Sequence, residues 1–120
     1  MNLVQKQNRR FRNAFRGFVS AGKSDFNFRL QLLSSIFFIV FGYFMWPLSE
    51  TELFFLILAF ALIIITELQN TSFETALDRI HPGQHEYIGK SKDMAAGAVL
   101  IAGLFALVIV SLIFANHILL

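Results

Sequence analysis

Hydrophobic positions fall into three long blocks, separated by short polar punctuation. Leu30 to Leu48 is nearly free of charge and rich in Phe and Ile; Leu53 to Thr66 is a second apolar run; Met94 to about Ala115 is a third. A helix rises about 1.5 Å per residue and must cover about 30 Å of hydrocarbon to cross a bilayer. The first and third blocks meet that length. The second is too short alone and must continue through Glu67 to about Phe73, with its helical pattern running on to Ile80. There His81-Pro82-Gly83 gives a strong helix stop. Pro47, Ser49, Glu50, Thr51 and Glu52 form the short connection between the first two spans, and Asn116 and His117 are expected to cap the third at the interface.

The segment before the first span follows a different pattern. At about 100° per residue, Val4, Phe11, Phe15 and Phe18 share one narrow arc while Arg9, Arg12 and Arg16 lie opposite. The pattern predicts an amphipathic helix over about 3–22 that lies on an anionic membrane surface by its aromatic side. Gly22, Lys23, Ser24 and Asp25 then mark a turn. This segment has no apolar core of the kind a secretory signal needs, so no cleavage is expected.

Composition agrees with lipid as the solvent. Of the 120 residues 56% are hydrophobic and 15% charged, too apolar for a soluble domain with so much surface to cover. There are no cysteines, which excludes disulfides and thiolate chemistry. All ten Lys and Arg lie in the first 29 residues or between Arg79 and Lys92, and none in the 47–52 turn. By the positive-inside rule the amino terminus and the second connection are cytoplasmic, and the carboxyl terminus faces outward. The expected fold is one all-α membrane domain over 1–120: a surface helix and three transmembrane helices at about 30–48, 53–73 (extending to 80) and 94–115.

Charge inside the spans is the exception that points to chemistry. An ionisable side chain near the centre of a span costs about 2.5–3.5 kcal/mol on insertion scales, so such groups are rare. Glu67, Asn70, Glu74 and Asp78 nonetheless share one helix and fall within roughly 80° of one another, a polar stripe down a single face. Leu53 to Glu67 is about 21 Å of rise, which puts Glu67 in the inner leaflet. Asp25 and Arg29 stand before the first span, and Glu86, Lys90, Lys92 and Asp93 before the third, at the same boundary. A carboxylate there can act as general base on a lipid hydroxyl. Hard oxygens suit magnesium, and a lysine can offset phosphoryl charge. The same stripe also fits helix association or a pore lining, so pattern alone leaves an oligomeric channel or assembly subunit open.

ELQNTSFETALDRI (67–80) followed by HEYIGKSKDMAAGAVLI (85–101) resembles the integral-membrane prokaryotic diacylglycerol kinases. That family carries a close relative of E-x-x-N-x-x-x-E-x-x-x-D at the end of its second span, then His-Glu and Lys-Asp. Length, span count and the basic surface helix agree over essentially the whole chain. The resemblance implies a homotrimeric, magnesium-dependent, ATP-using lipid kinase of the bacterial inner membrane, with sites at subunit interfaces. Glu67 would be the catalytic base and Asn70 its polar support, while Asp25 and Glu74 would be metal ligands. His85, Glu86, Lys92 and Asp93 would contact the nucleotide, and Asp78 would stand at the rim. The family usually has Glu where this chain has Asp25, one methylene longer. No G-x-x-x-x-G-K-[ST] loop occurs. The resemblance leaves the acceptor between diacylglycerol, favoured by the DRI ending of the acidic motif (78–80), and undecaprenol. AAGAVL after Lys-Asp-Met resembles the undecaprenol-kinase branch as well, and Gln31 stands where charge or histidine is often seen.

His81 and His85 are four apart, but Pro82 and Gly83 break the helix between them, so no zinc site is expected. Gly97 and Gly103 are expected at close helix contacts, and the fifteen Phe mostly as lipid-facing bulk.

Overall fold

The computed structural model describes residues 1–119. Four helices follow in order: α1 Leu3–Ser24, α2 Phe26–Phe44, α3 Glu50–Ile80 and α4 Glu86–Phe114. A five-residue π turn, Ala115–Leu119, extends α4. The protein is an all-α, multi-pass membrane protein: α2, α3 and α4 are each long and apolar enough to cross a bilayer.

Local chemistry sets the ends of these helices. Asn2 and Gln5 make a capping box at the start of α1, with Gln5 N donating to Asn2 Oδ1 at 2.8 Å. The turn expected over 22–25 narrows to Asp25 alone, because α1 runs on through Ser24 and Asp25 immediately caps α2. Its Oδ1 accepts from Phe28 N at 2.6 Å, so α2 starts at Phe26 rather than Leu30. The helix also stops at Phe44, short of Leu48, since Pro47 keeps the residue before it out of the helical region. Ser49 and Glu52 form the capping box of α3. That helix continues unbroken past the apolar block to Ile80, as its periodicity predicts, and ends at His81 before Pro82. α4 begins at Glu86, well before its apolar block, because the His85 side chain accepts from Tyr87 N at 3.2 Å.

Packing runs along α3. It meets α2 through Phe38, whose ring lies 5.7 Å from that of Phe60, and through Leu56 beside Gly42. Against α4 the close approach is made by alanines: Ala59, Ala102 and Ala106 are all buried in the same core cluster. Gly97 and Gly103 do not serve this role, since a methyl group on either would meet nothing within 4 Å. The contact face is placed by alanine, and both glycines lie off it. Two polar contacts fix the register of α3 against α4 at opposite ends: Lys92 with Asp78 at one, and His117 Nε2 with Glu52 Oε2 at 2.7 Å at the other. Most remaining large apolar side chains, such as Phe37, Ile39, Phe54 and Leu100, point outward. In water that would be an aggregating surface; in lipid it is the ordinary exterior.

α1 (Leu3–Ser24) meets the bundle through its second half, which borders α3 from Ala14 to Ser24. Phe18 packs edge-on against Phe28 at 5.4 Å, and Phe28 is fully buried at 0% exposure. Val4, Phe11 and Phe15 are exposed. The amphipathic face is therefore free to meet a membrane surface, as its pattern predicts.

Candidate active site at the polar end of the bundle

The α2–α3 seam explains where the polar stripe goes. Phe38 and Phe60 meet across two antiparallel helices. Going from Phe60 to Glu67, and back from Phe38 to Gln31, is the same two turns toward the same end of the bundle. Gln31 therefore faces Glu67, and Asn27, one turn further, faces Asn70 and Thr71. The α3–α4 register set by the Lys92–Asp78 contact brings Ala96 and Val99 to the other side of the stripe. These residues line one cleft of about 280 Å³: Asn27, Leu30, Gln31, Glu67, Asn70, Glu74, Ala96 and Val99.

Glu67 is 4% exposed and Asn70 7%, which is unusual for polar groups on a membrane helix and is possible only because α2 and α4 cover them. Asn70 Nδ2 donates to Glu74 Oε1 at 3.3 Å. This leaves Asn70 Oδ1 buried with no hydrogen-bond partner among the described residues. Glu74 lines the same cleft as Glu67, so two carboxylates of one helix share it.

The other implied site residues gather in a neighbouring recess. His85, Glu86, Lys92 and Asp93 all line a cavity of about 600 Å³ together with Pro82, Gly83, Gln84 and Lys90. Lys92 is bonded to Asp78, one turn beyond Glu74 on the stripe, which ties this recess to the cleft. Both partners are partly exposed, and such pairs contribute little to stability, so Lys92 can exchange Asp78 for an incoming anion. Glu86 is paired with Lys90 one turn on at 3.3 Å, and His85 caps α4, so both have local structural roles as well.

Asp25 lines neither cavity. One of its oxygens holds the first turn of α2. Among the described residues no three His, Asp or Glu side chains converge into a ready metal centre. His81 and His85 stack loosely, 5.3 Å between ring centres, and the His81 ring nitrogen Nδ1 faces Gly83 O. Their rings are taken up by the turn and the cap, as the intervening Pro82-Gly83 leads one to expect.

Two cleft residues escape a reading of the sequence for charge. Asn27 and Gln31 belong to a helix whose other residues read as an apolar span. Their signal is spacing: four apart, they share the face of Phe38, which packs on α3.

Comparison with known proteins agrees over most of the chain. The family model described as prokaryotic diacylglycerol kinase matches residues 12–114. The diacylglycerol kinase of Haemophilus influenzae is 30% identical over 89 residues, covering 74% of this chain and 75% of that protein. The diacylglycerol kinase of Escherichia coli K12 is 37% identical over 62 residues, which is 52% of this chain and about half (51%) of the relative.

Proposed function

The chain belongs to the prokaryotic diacylglycerol kinase family and is a membrane lipid kinase, and from that premise we propose that it transfers the γ-phosphoryl group of ATP to diacylglycerol, giving phosphatidic acid. The observation that carries this reading is a carboxylate, Glu67, buried in a cleft at the polar end of a membrane bundle, next to a recess lined by Lys92 and Asp93. Lipid reaches the cleft sideways from the inner leaflet; nucleotide reaches the recess from the cytoplasm.

Phosphoryl transfer needs positioning and charge neutralisation more than covalent participation by the protein. The acceptor hydroxyl oxygen bonds to the γ-phosphorus, ADP leaves with the electrons of the broken bond, and the hydroxyl proton passes to Glu67. Asn70 holds Glu74 through its amide nitrogen, and its free carbonyl oxygen is a fitting acceptor for the reacting hydroxyl before the proton moves. Lys92 leaves Asp78 to meet the phosphate oxygens. Magnesium, held by Asp25 and Glu74 together with ATP oxygens, would neutralise the phosphate charge. The all-oxygen donor set suits it, as does the usual pattern of one or two carboxylates completed by phosphate. His85, Glu86 and Asp93 shape the nucleotide recess. We place the protein in the inner membrane with its amino terminus in the cytoplasm, and as a homotrimer whose neighbouring copies close the open sides of the cleft.

The acceptor is decided by one assay. Protein reconstituted in vesicles is given radiolabelled ATP with diacylglycerol, with undecaprenol or with no lipid, and the lipids are extracted. Labelled phosphatidic acid is the expected product. Label on undecaprenol alone would reassign the acceptor. No labelled lipid, together with ion flux in liposomes, would replace the kinase with a channel.

A further inference from the structure

We propose that Gln31 is a specificity residue of the acceptor site, donating its amide N–H to an ester carbonyl of the lipid and so selecting an ester-linked glycerolipid over an alcohol without carbonyls. The proposal rests on the lipid-kinase reading above and adds to it the feature of the acceptor that is recognised.

Three observations support it. First, Gln31 lines the same small cleft as Glu67, Asn70 and Glu74, and the Phe38–Phe60 contact sets it at the depth of Glu67. In a diacylglycerol the ester carbonyls lie a few bonds from the free hydroxyl, so a donor level with the base is within reach of them when the hydroxyl is at Glu67.

Second, Gln31 is the deepest uncommitted polar side chain on α2. Further into the span only Ser34 and Ser35 are polar before Tyr43, and both hydroxyls bond back to their own helix, to Gln31 O and Leu32 O. The Gln31 amide makes no side-chain hydrogen bond among the described residues, although it is half-buried on the face that packs against α3. An amide on a membrane helix is retained at a cost unless it finds a hydrogen-bond partner. Polar groups kept within spans mark functional sites for that reason.

Third, the cleft already holds an unsatisfied acceptor. Asn70 Oδ1 is buried without a partner, so the site is organised for a ligand that brings a donor, as a hydroxyl does. Gln31 N–H supplies the complementary need of a ligand that brings an acceptor. A glycerol ester brings both. A polyprenol brings only its hydroxyl, which satisfies Asn70 and leaves Gln31 unpaired.

The experiment compares two acceptors that differ only in the carbonyls: dioleoylglycerol and the matching dioleyl diether glycerol, each with labelled ATP and reconstituted protein. The unmodified protein should favour the diester by about tenfold in kcat/KM, the ratio given by one hydrogen bond of ordinary net strength. Gln31→Met keeps length and shape without a donor and should bring the ratio close to one, chiefly through the KM for the diester. Gln31→His restores an N–H and should recover the preference. Equal diester and diether rates in the unmodified protein would overturn the role of Gln31 while leaving the kinase intact. So would a Met variant that lost both activities in the same proportion. Absence of label on any lipid alcohol would take down the kinase reading, and this inference with it.

Discussion

At the scale of single residues, the chemistry rests on a burial that the chain could easily have avoided. A carboxylate at 4% exposure is not explained by stability, because taking a charged group out of water is unfavourable. Glu67→Gln removes the buried carboxylate and keeps the shape, so the variant should insert and assemble at least as well as the parent. Its turnover should fall by about 10²–10⁴, the usual contribution of a general base. Labelled-product formation by the purified, reconstituted variant measures this, and activity near that of the parent would remove Glu67 from the proposed role. Asn70 shows the complementary case: it is uncharged, and the fold leaves its carbonyl oxygen buried without a hydrogen-bond partner among the described residues.

At the scale of elements, α3 holds the molecule together, and its two ends are tied to α4 by different means. At the end that carries the polar stripe the Lys92–Asp78 contact is partly exposed. At the opposite end the π turn Ala115–Leu119 carries His117, which sits against Glu52, with both side chains about one-fifth exposed. Glu52 also accepts from Ser49 N at 3.3 Å, so one carboxylate joins the α3 cap to the carboxyl-terminal turn. His117→Ala should therefore lower stability by about 1 kcal/mol, one hydrogen bond of ordinary strength. Thermal unfolding in detergent reads it, and an unchanged midpoint would show the contact to be incidental. The expectation of an interfacial cap at Asn116–His117 is thus sharpened into a specific bond between residues 65 positions apart.

At the scale of the whole molecule, orientation and function must agree. The proposed transfer from ATP requires the Glu67 cleft and the Lys92 recess to face the cytoplasm, and by the positive-inside rule the distribution of Lys and Arg predicts the same. The chain has no native cysteine, so single cysteines can be introduced as clean labels. A cysteine at Gln84 should react with an impermeant thiol reagent only from the cytoplasmic side, and one at Thr51 only from the outside. The reverse pattern would put the nucleotide recess on the wrong side of the membrane and defeat the kinase reading.

Much of this was already determined by sequence, because the bilayer imposes a coarse rule that one chain can satisfy in few ways. Three spans, the long α3 ending before Pro82, the free amphipathic α1 and the polar stripe from Glu67 to Asp78 all follow from hydropathy, periodicity and breakers, which are local properties. Helix ends were less legible: capping by Asp25 and His85 started α2 and α4 before their apolar blocks, and Pro47 ended α2 early. The contacts between helices were decided only by the tertiary structure. Which small residues make the close approach, alanines rather than Gly97 and Gly103, depends on rotation of α4 about its axis. That Gln31 faces Glu67, that Lys92 meets Asp78 and that His117 reaches Glu52 depend on register between separate helices. Register is set by side-chain packing summed along a whole interface, and no window of sequence contains it.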